Sequence, residues 1–144
     1  MKILICDDHK IVRIGIRHLL QQLKGVISID EAENGNEALA FLKSNDINIV
    51  LLDITLPGIS GLEVLQIIKT KWKTINVLML SMHPQEQYAI RALKLGASGY
   101  LTKDTASEEL LLAVKKIAAG GKYISMALAD NLAAYIDNES NTYK

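Results

Sequence analysis

The feature that most constrains this chain is an alternation. Five short apolar runs, residues 2–6, 26–30, 47–52, 75–80 and 98–101, are separated by longer segments whose apolar positions recur at helical spacing. Several of the runs place Ile, Val and Leu on successive positions. A strand of that kind is buried on both faces, as in a parallel sheet covered by helices on each side. The segments between carry helix signals. Val12, Ile16, Leu19, Leu20 and Leu23 form one apolar stripe. Asn34 with Glu37, Ser60 with Glu63 and Thr105 with Glu108 have the spacing of N-terminal caps. Pro84 suits a first helical turn and Gly96 a helix end. Strict strand–helix alternation predicts an α/β domain of five strands joined by crossovers. A further helix is expected from Ser125 to about Ile136, outside the repeating unit and ahead of a polar tail.

In such a sheet all strands point the same way, and ligands sit beyond their carboxyl ends. The residues there are polar and specific: Asp7 and Asp8 after the first run, Asp53 after the third, Ser81 after the fourth, Lys103 after the fifth. Taken singly, each has an ordinary explanation. Asp7-Asp8 could open a helix, Asp53 could start the turn at Pro57-Gly58, Ser81 could cap, and Lys103 could be solvated. Together they form an ordered set along one edge. Carboxylates so gathered repel by on the order of 1–4 kcal/mol per pair at a few ångströms. Such a cluster persists when it shares a cation, and Mg²⁺, a hard ion that prefers oxygen donors, fits. Lys103 supplies a second positive charge.

Composition narrows the alternatives. The 144 residues carry 16 basic and 16 acidic side chains, so no overall field attracts nucleic acid. The lysines at 69, 71 and 73, and at 115 and 116, alternate with apolar residues and read as solvated helix faces. One cysteine, Cys6, cannot pair internally, which fits a reducing compartment. The apolar N-terminal run is too short for a signal peptide core, and no stretch has membrane-spanning length, so a cytoplasmic location without membrane contact is expected.

The ordered set resembles the receiver domain of two-component response regulators. The residues that carry the likeness are Ile5-Cys6-Asp7-Asp8, Leu51-Leu52-Asp53, Leu56-Pro57-Gly58 with Gly61, Leu80-Ser81, and Tyr100-Leu101-Thr102-Lys103. It implies a flavodoxin-like, doubly wound (βα)5 fold over residues 1–122, with 123–144 as a linker or accessory helix and tail. It also implies that Asp53 accepts a phosphoryl group from a sensor histidine kinase. Asp7, Asp8, Asp53 and the backbone carbonyl of Thr55 would hold Mg²⁺. Ser81 and Lys103 would bond phosphoryl oxygens, and Ser81 with Tyr100 would form the switch. Thr55 and His83 fall where the family tunes acyl phosphate lifetime, although His83 serves equally as a helix cap.

Ser81-Met82-His83, the run from Gly96 to Asp104 and the ending Gly120-Gly121-Lys122-Tyr123-Ile124-Ser125 are similar to the NarL/FixJ group. In that group a LuxR-type helix-turn-helix domain follows, so DNA would be met only through a domain absent from this chain. Dimerisation on phosphorylation is a further expectation. The alternative is a stand-alone receiver that binds protein partners under phosphorylation control. An external-ester phosphatase of the haloacid dehalogenase kind would want a second Asp two residues after Asp53, where Thr55 stands. A flavin or nucleotide carrier would want a glycine- or serine-rich cradle where Asp7-Asp8 would repel phosphate. The expected class is regulatory, acting on its own carboxylate rather than turning over external substrates.

Overall fold

The computed structural model describes residues 1–82, 86–126 and 128–130. Its strands are β1 (Lys2–Cys6), β2 (Ser28–Ala32), β3 (Ile49–Asp53), β4 (Asn76–Ser81), β5 (Gly99–Thr102) and β6 (Tyr123–Ile124). The helices between them are α1 (Lys10–Leu20), α2 (Gly35–Ser44), α3 (Gly61–Lys71), α4 (Glu86–Lys94) and α5 (Ala106–Ala118). All strands are parallel, in the order β2-β1-β3-β4-β5-β6.

Period-two alternation along each strand sorts the core into two layers. Leu4, Cys6, Val50, Leu52, Val77, Met79 and Tyr100 pack with residues of α2, α3 and α4. Ile3, Ile5, Ile49, Leu51, Leu78, Leu80 and Leu101 face the other way, against α1 and α5. The central strands are fully buried because both of their faces are covered, as their unbroken apolar runs require.

Two of the three expected caps form. Asn34 Oδ1 accepts from the Glu37 amide at 2.8 Å, and Ser60 Oγ accepts from the Glu63 amide at 3.2 Å. Thr105 does not cap α5; its Oγ1 lies 2.8 Å from Thr102 Oγ1 instead, which ties the start of the helix to β5. Gly96, at φ +103, ends α4 in the left-handed region as expected. Pro84, and the helix expected to continue to Ile136, lie outside the described residues except for residues 126 and 128–130 of that helix.

The five-strand expectation is corrected to six. After Gly120 turns the chain at φ +94, the Tyr123 amide donates to Ser98 O and the Ser125 amide to Tyr100 O, both at 3.0 Å. These bonds satisfy an edge of β5 that would otherwise be open. The approach is close: a Cβ on Gly99 would lie 2.5 Å from Tyr123 O. A two-residue strand has too little apolar alternation to be seen in the sequence. Beyond it Leu128 is fully buried, in the same layer as Tyr100.

Candidate functional site

The sheet order reverses between β1 and β3, since the chain leaves β1 for β2 on one side and returns to β3 on the other. A crevice opens at such a point beyond the carboxyl ends of the strands. Cys6 pairs with Leu52, so Asp7 and Asp53, one residue on, are side by side across the reversal. Both are almost fully buried, at 0% and 1% exposure.

Lys103 links them. Its Nζ lies 2.8 Å from Asp7 Oδ2 and 3.1 Å from Asp53 Oδ2, with its own side chain 8% exposed. The lysine reaches this position because the Lys103 amide donates to Ser81 O at 2.7 Å, which extends the β4–β5 ladder to the pocket edge. Asp8 stands at the mouth with its side chain 38% exposed. Carboxylate oxygens of Asp7, Asp8 and Asp53 and a ring nitrogen of His9 all lie within 4.8 Å of one another. The oxygen-rich part of that set suits a hard cation such as Mg²⁺, whereas a soft-metal site would call for sulfur.

The electrostatics follow from burial. Desolvation raises the Asp53 pKa above the ordinary carboxylate value, and the Asp7 charge adds to it; the Thr55 amide and Lys103 act in the opposite direction without reversing it. For Lys103, burial alone would depress the ammonium. The hydrogen bonds and charges of Asp7 and Asp53 outweigh burial and hold it above its usual value. One shared cation thus faces two buried acids and leaves Asp53 incompletely compensated. Cys6, beneath the acids, is pushed up to about 12 by burial and by their charge, which keeps it a thiol.

The loop after β3 is shaped around the acid. The Thr55 amide donates to Asp53 Oδ1 at 3.1 Å, while the Thr55 side chain faces solvent. Gly61 opens α3 directly against the end of β3: a Cβ there would collide with the Asp53 carbonyl and lie 2.7 Å from the Ile54 Cα. Ser81 is 4% exposed at the end of β4. Tyr100 is fully buried, and desolvation raises its phenol; the nearby Ser81 side chain acts in the opposite direction without reversing it. The structure therefore brings together Asp7, Asp8, Asp53, Ser81, Tyr100, Lys103 and the Thr55 backbone. His83 lies outside the described residues.

Two residues at the site were not singled out by sequence. His9 has Nδ1 2.9 Å from Asp7 Oδ1 and 3.2 Å from Asp8 Oδ1. Arg13 is 6% exposed, and its Nη1 donates to the Asp7 carbonyl at 2.7 Å. The available signal was a pair of arginines, at 13 and 17, one helical turn apart beside a strand carrying Glu31.

A doubly wound sheet with clustered acids and a shared lysine at its switch point defines an α/β domain with an acidic pocket suited to a cation. Comparison with known proteins makes this specific: the response regulator receiver domain model matches residues 3–115, and the chain belongs to that family. The response regulator UvrY of Escherichia coli strain K12 is 33% identical over 133 residues, covering 92% of this chain and 61% of UvrY. The nitrate/nitrite response regulator protein NarL of the same strain is 37% identical over 132 residues, again 92% of this chain and 61% of the relative. The chain thus spans about three-fifths of the length of these relatives. A crystal structure of a LuxR-family two-component response regulator from Aurantimonas sp. SI85-9A1 superposes with a TM-score of 0.88 at 34% identity, covering 93% of this chain and 96% of that one. The resemblance to the NarL group is borne out. Such proteins regulate rather than turn over substrates. Among the described residues no helix is long and apolar enough to cross a membrane.

Proposed function

We propose that Asp53 accepts a phosphoryl group from a phosphohistidine of a partner sensor histidine kinase, in a Mg²⁺-dependent reaction that switches the domain. The observation that carries this reading is the shared lysine: Nζ is within 3.1 Å of Asp53 and 2.8 Å of Asp7 in a buried pocket. Asp53 attacks phosphorus as the P–N bond to the imidazole breaks, and the product is an acyl phosphate. An anionic nucleophile meets an anionic donor, so cations do most of the catalytic work. Mg²⁺, when bound, supplies Lewis-acid charge against the phosphoryl oxygens. Asp7, Asp8, Asp53 and the Thr55 carbonyl would hold it. Lys103 then exchanges part of its carboxylate contact for a phosphoryl oxygen, and Asp53 keeps the acyl phosphate. The chain catalyses its own transfer and slow hydrolysis.

The phosphoryl group adds roughly two negative charges. The Ser81 hydroxyl turns toward it and loosens its contact with Tyr100, which shifts the packing around β5 and α4. Thr55 and His83 modulate the lifetime of the phosphorylated state. An apolar groove of about 370 Å³, lined by Ile11, Gly15, Ile16, Leu19 and Ala106, opens beside Lys103 and supports docking of an apolar kinase surface at that mouth. Phosphorylation drives homodimerisation, and DNA is engaged through a LuxR-type domain beyond these residues, in the cytoplasm. The receiver unit is assigned to 1–122 with a linker after it; the pairing of Tyr123–Ile124 and the burial of Leu128 favour carrying the folded unit to Leu128.

The test is beryllofluoride with Mg²⁺, followed through backbone amide resonances. Shifts at Ser81, Tyr100 and Lys103 in the wild type, and none in Asp53→Asn, are expected. An unchanged wild-type spectrum would refute the reading.

A further inference from the structure

The geometry points to Arg13 as a positioning residue for the acidic pocket: it fixes the Asp7 backbone, and through it the Asp7–Asp8 pair, in the arrangement that receives the divalent cation. This rests on the reading of that pocket as a Mg²⁺ site.

Arginine is rarely buried without partners that match its donors. Arg13 sits on α1 with its side chain 8% exposed, and its donors are divided between two tasks. Nε donates to Glu31 Oε1 on β2 at 2.8 Å, and Nη2 lies 3.6 Å from Glu33 Oε1. Nη1 donates to the carbonyl of Asp7 at 2.7 Å, a charge-assisted bond to a backbone acceptor. Glu31 is itself held by Arg17, whose Nε and Nη2 donate to Oε2 at 2.9 and 2.7 Å. An Arg13–Glu31–Arg17 strap therefore joins α1 to β2, and only Arg13 reaches beyond it to the acidic loop.

The Asp7 carbonyl is the atom whose direction sets the peptide plane joining Asp7 to Asp8. That plane is rigid, so holding its oxygen fixes the Asp8 amide and the Asp8 Cα, the point from which the Asp8 side chain departs. The other groups of Asp7 are already committed: its amide donates to Ala32 O at 3.1 Å, Oδ1 accepts from the His9 amide at 2.8 Å, and Oδ2 pairs with Lys103 at 2.8 Å. Arg13 occupies the remaining acceptor. Without it, the carbonyl would be a buried oxygen short of a partner, and the loop would rotate to hydrate it. The carboxylate pair would then meet the cation with its oxygens misaligned. Outer-sphere partners of metal-binding carboxylates act in this way, and losing one weakens metal affinity about 10–100-fold.

Lysine is a poor substitute. One ammonium at the end of a flexible stem cannot serve the Glu31 carboxylate and the Asp7 carbonyl with the fixed spacing of a guanidinium fork.

The experiment titrates Mg²⁺ into wild type, Arg13→Met, Arg13→Lys and Arg17→Met. Affinity is read by isothermal calorimetry, and the amides of Asp8 and His9 are followed by hydrogen exchange in the metal-free proteins. Wild-type binding, at least about tenfold weaker binding in both Arg13 variants and faster exchange at Asp8 and His9 are expected. Arg17→Met loses the other half of the Glu31 strap, the Arg17–Glu31 bonds, without touching Asp7. It should lose thermal stability while keeping its Mg²⁺ affinity. Wild-type-like affinity in a folded Arg13→Met protein, or equal weakening in Arg17→Met, would overturn the assignment while leaving the Mg²⁺ site intact. A wild type that binds no Mg²⁺ would instead remove the site on which the assignment rests.

Discussion

Replacing Lys103 with methionine removes the one cation shared by two buried acids while keeping most of the side-chain volume. Asp7 and Asp53 are 0% and 1% exposed, so water cannot take over the role of the amine. Breaking a buried ion pair by deleting one partner costs about 3–5 kcal/mol, because the other charge stays behind uncompensated. Taking the lower figure, and about 3 °C per kcal/mol for a chain of this length, the melting temperature in chelator should fall by about 10 °C. The loss depends on pH in a defined direction. Burial already raises the Asp53 pKa, and removing the lysine raises it further. A carboxyl with a raised folded pKa binds more protons folded than unfolded, so the deficit is greatest at neutral pH and fades on acidification. Mg²⁺ should rescue the variant, since a cation held at 100 times its dissociation constant contributes about 2.7 kcal/mol. Its stabilising effect should be larger in Lys103→Met than in the wild type, where the amine competes for the same carboxylates. Calorimetric melting of both proteins at pH 7 and pH 5, with and without Mg²⁺, tests this. An unchanged melting temperature in chelator, or equal Mg²⁺ stabilisation of the two, would refute the reasoning.

Other consequences can be measured independently. Leu128→Ala deletes a fully buried side chain from the layer that contains Tyr100, and should lower unfolding free energy in urea by about 2–5 kcal/mol; a change below half a kcal/mol would show that this segment is not part of the folded unit. Gly61→Ala forces a methyl group into the Asp53 carbonyl and should displace the start of α3, seen as amide shifts spreading from Ile54 to Glu63. Partial burial acts to raise the Glu109 pKa, but bonds from the Tyr123 hydroxyl, at 2.8 Å, and its other partners hold it below the usual carboxylate value. Its contribution to stability is thus present above the unfolded pKa of about 4.3 and lost as pH falls through the lower folded value. Glu109→Gln should therefore flatten the acid limb of the stability curve; an unaltered limb would contradict this.

How far the sequence speaks depends on which physics sets each feature. β1, β3, β4 and β5 were legible because burial on both faces leaves an unbroken apolar run, as at Ile49–Asp53, whereas the partly exposed β2, Ser28–Ala32, begins two residues after its expected run at 26–30. β6 was not, because two half-buried residues, Tyr123 and Ile124, are held mainly by backbone bonds that any side chain allows. Asn34 and Ser60 announced their caps through local spacing, whereas Thr105 was diverted by a contact with Thr102 that local spacing does not encode. Asp7, Asp8, Asp53, Ser81 and Lys103 could be placed at one edge because parallel strands put all their carboxyl ends there. The sharing of one amine between two acids depends on the β1–β3 neighbour relation, and strand order is not written in any local pattern. Arg13 was missed for a similar reason: its partners are an acid on another strand and a backbone carbonyl.

The function turns on which carboxylate becomes phosphorylated. The direct measurement is to expose the protein to a small-molecule phosphodonor with Mg²⁺, reduce with borohydride, and sequence the peptides by mass spectrometry. An acyl phosphate is converted by that reduction to homoserine, which marks the acceptor. Homoserine at position 53, lost when Mg²⁺ is chelated, is the predicted result. Homoserine at position 7 or 8 instead, or none anywhere under conditions that label a control receiver, would contradict it.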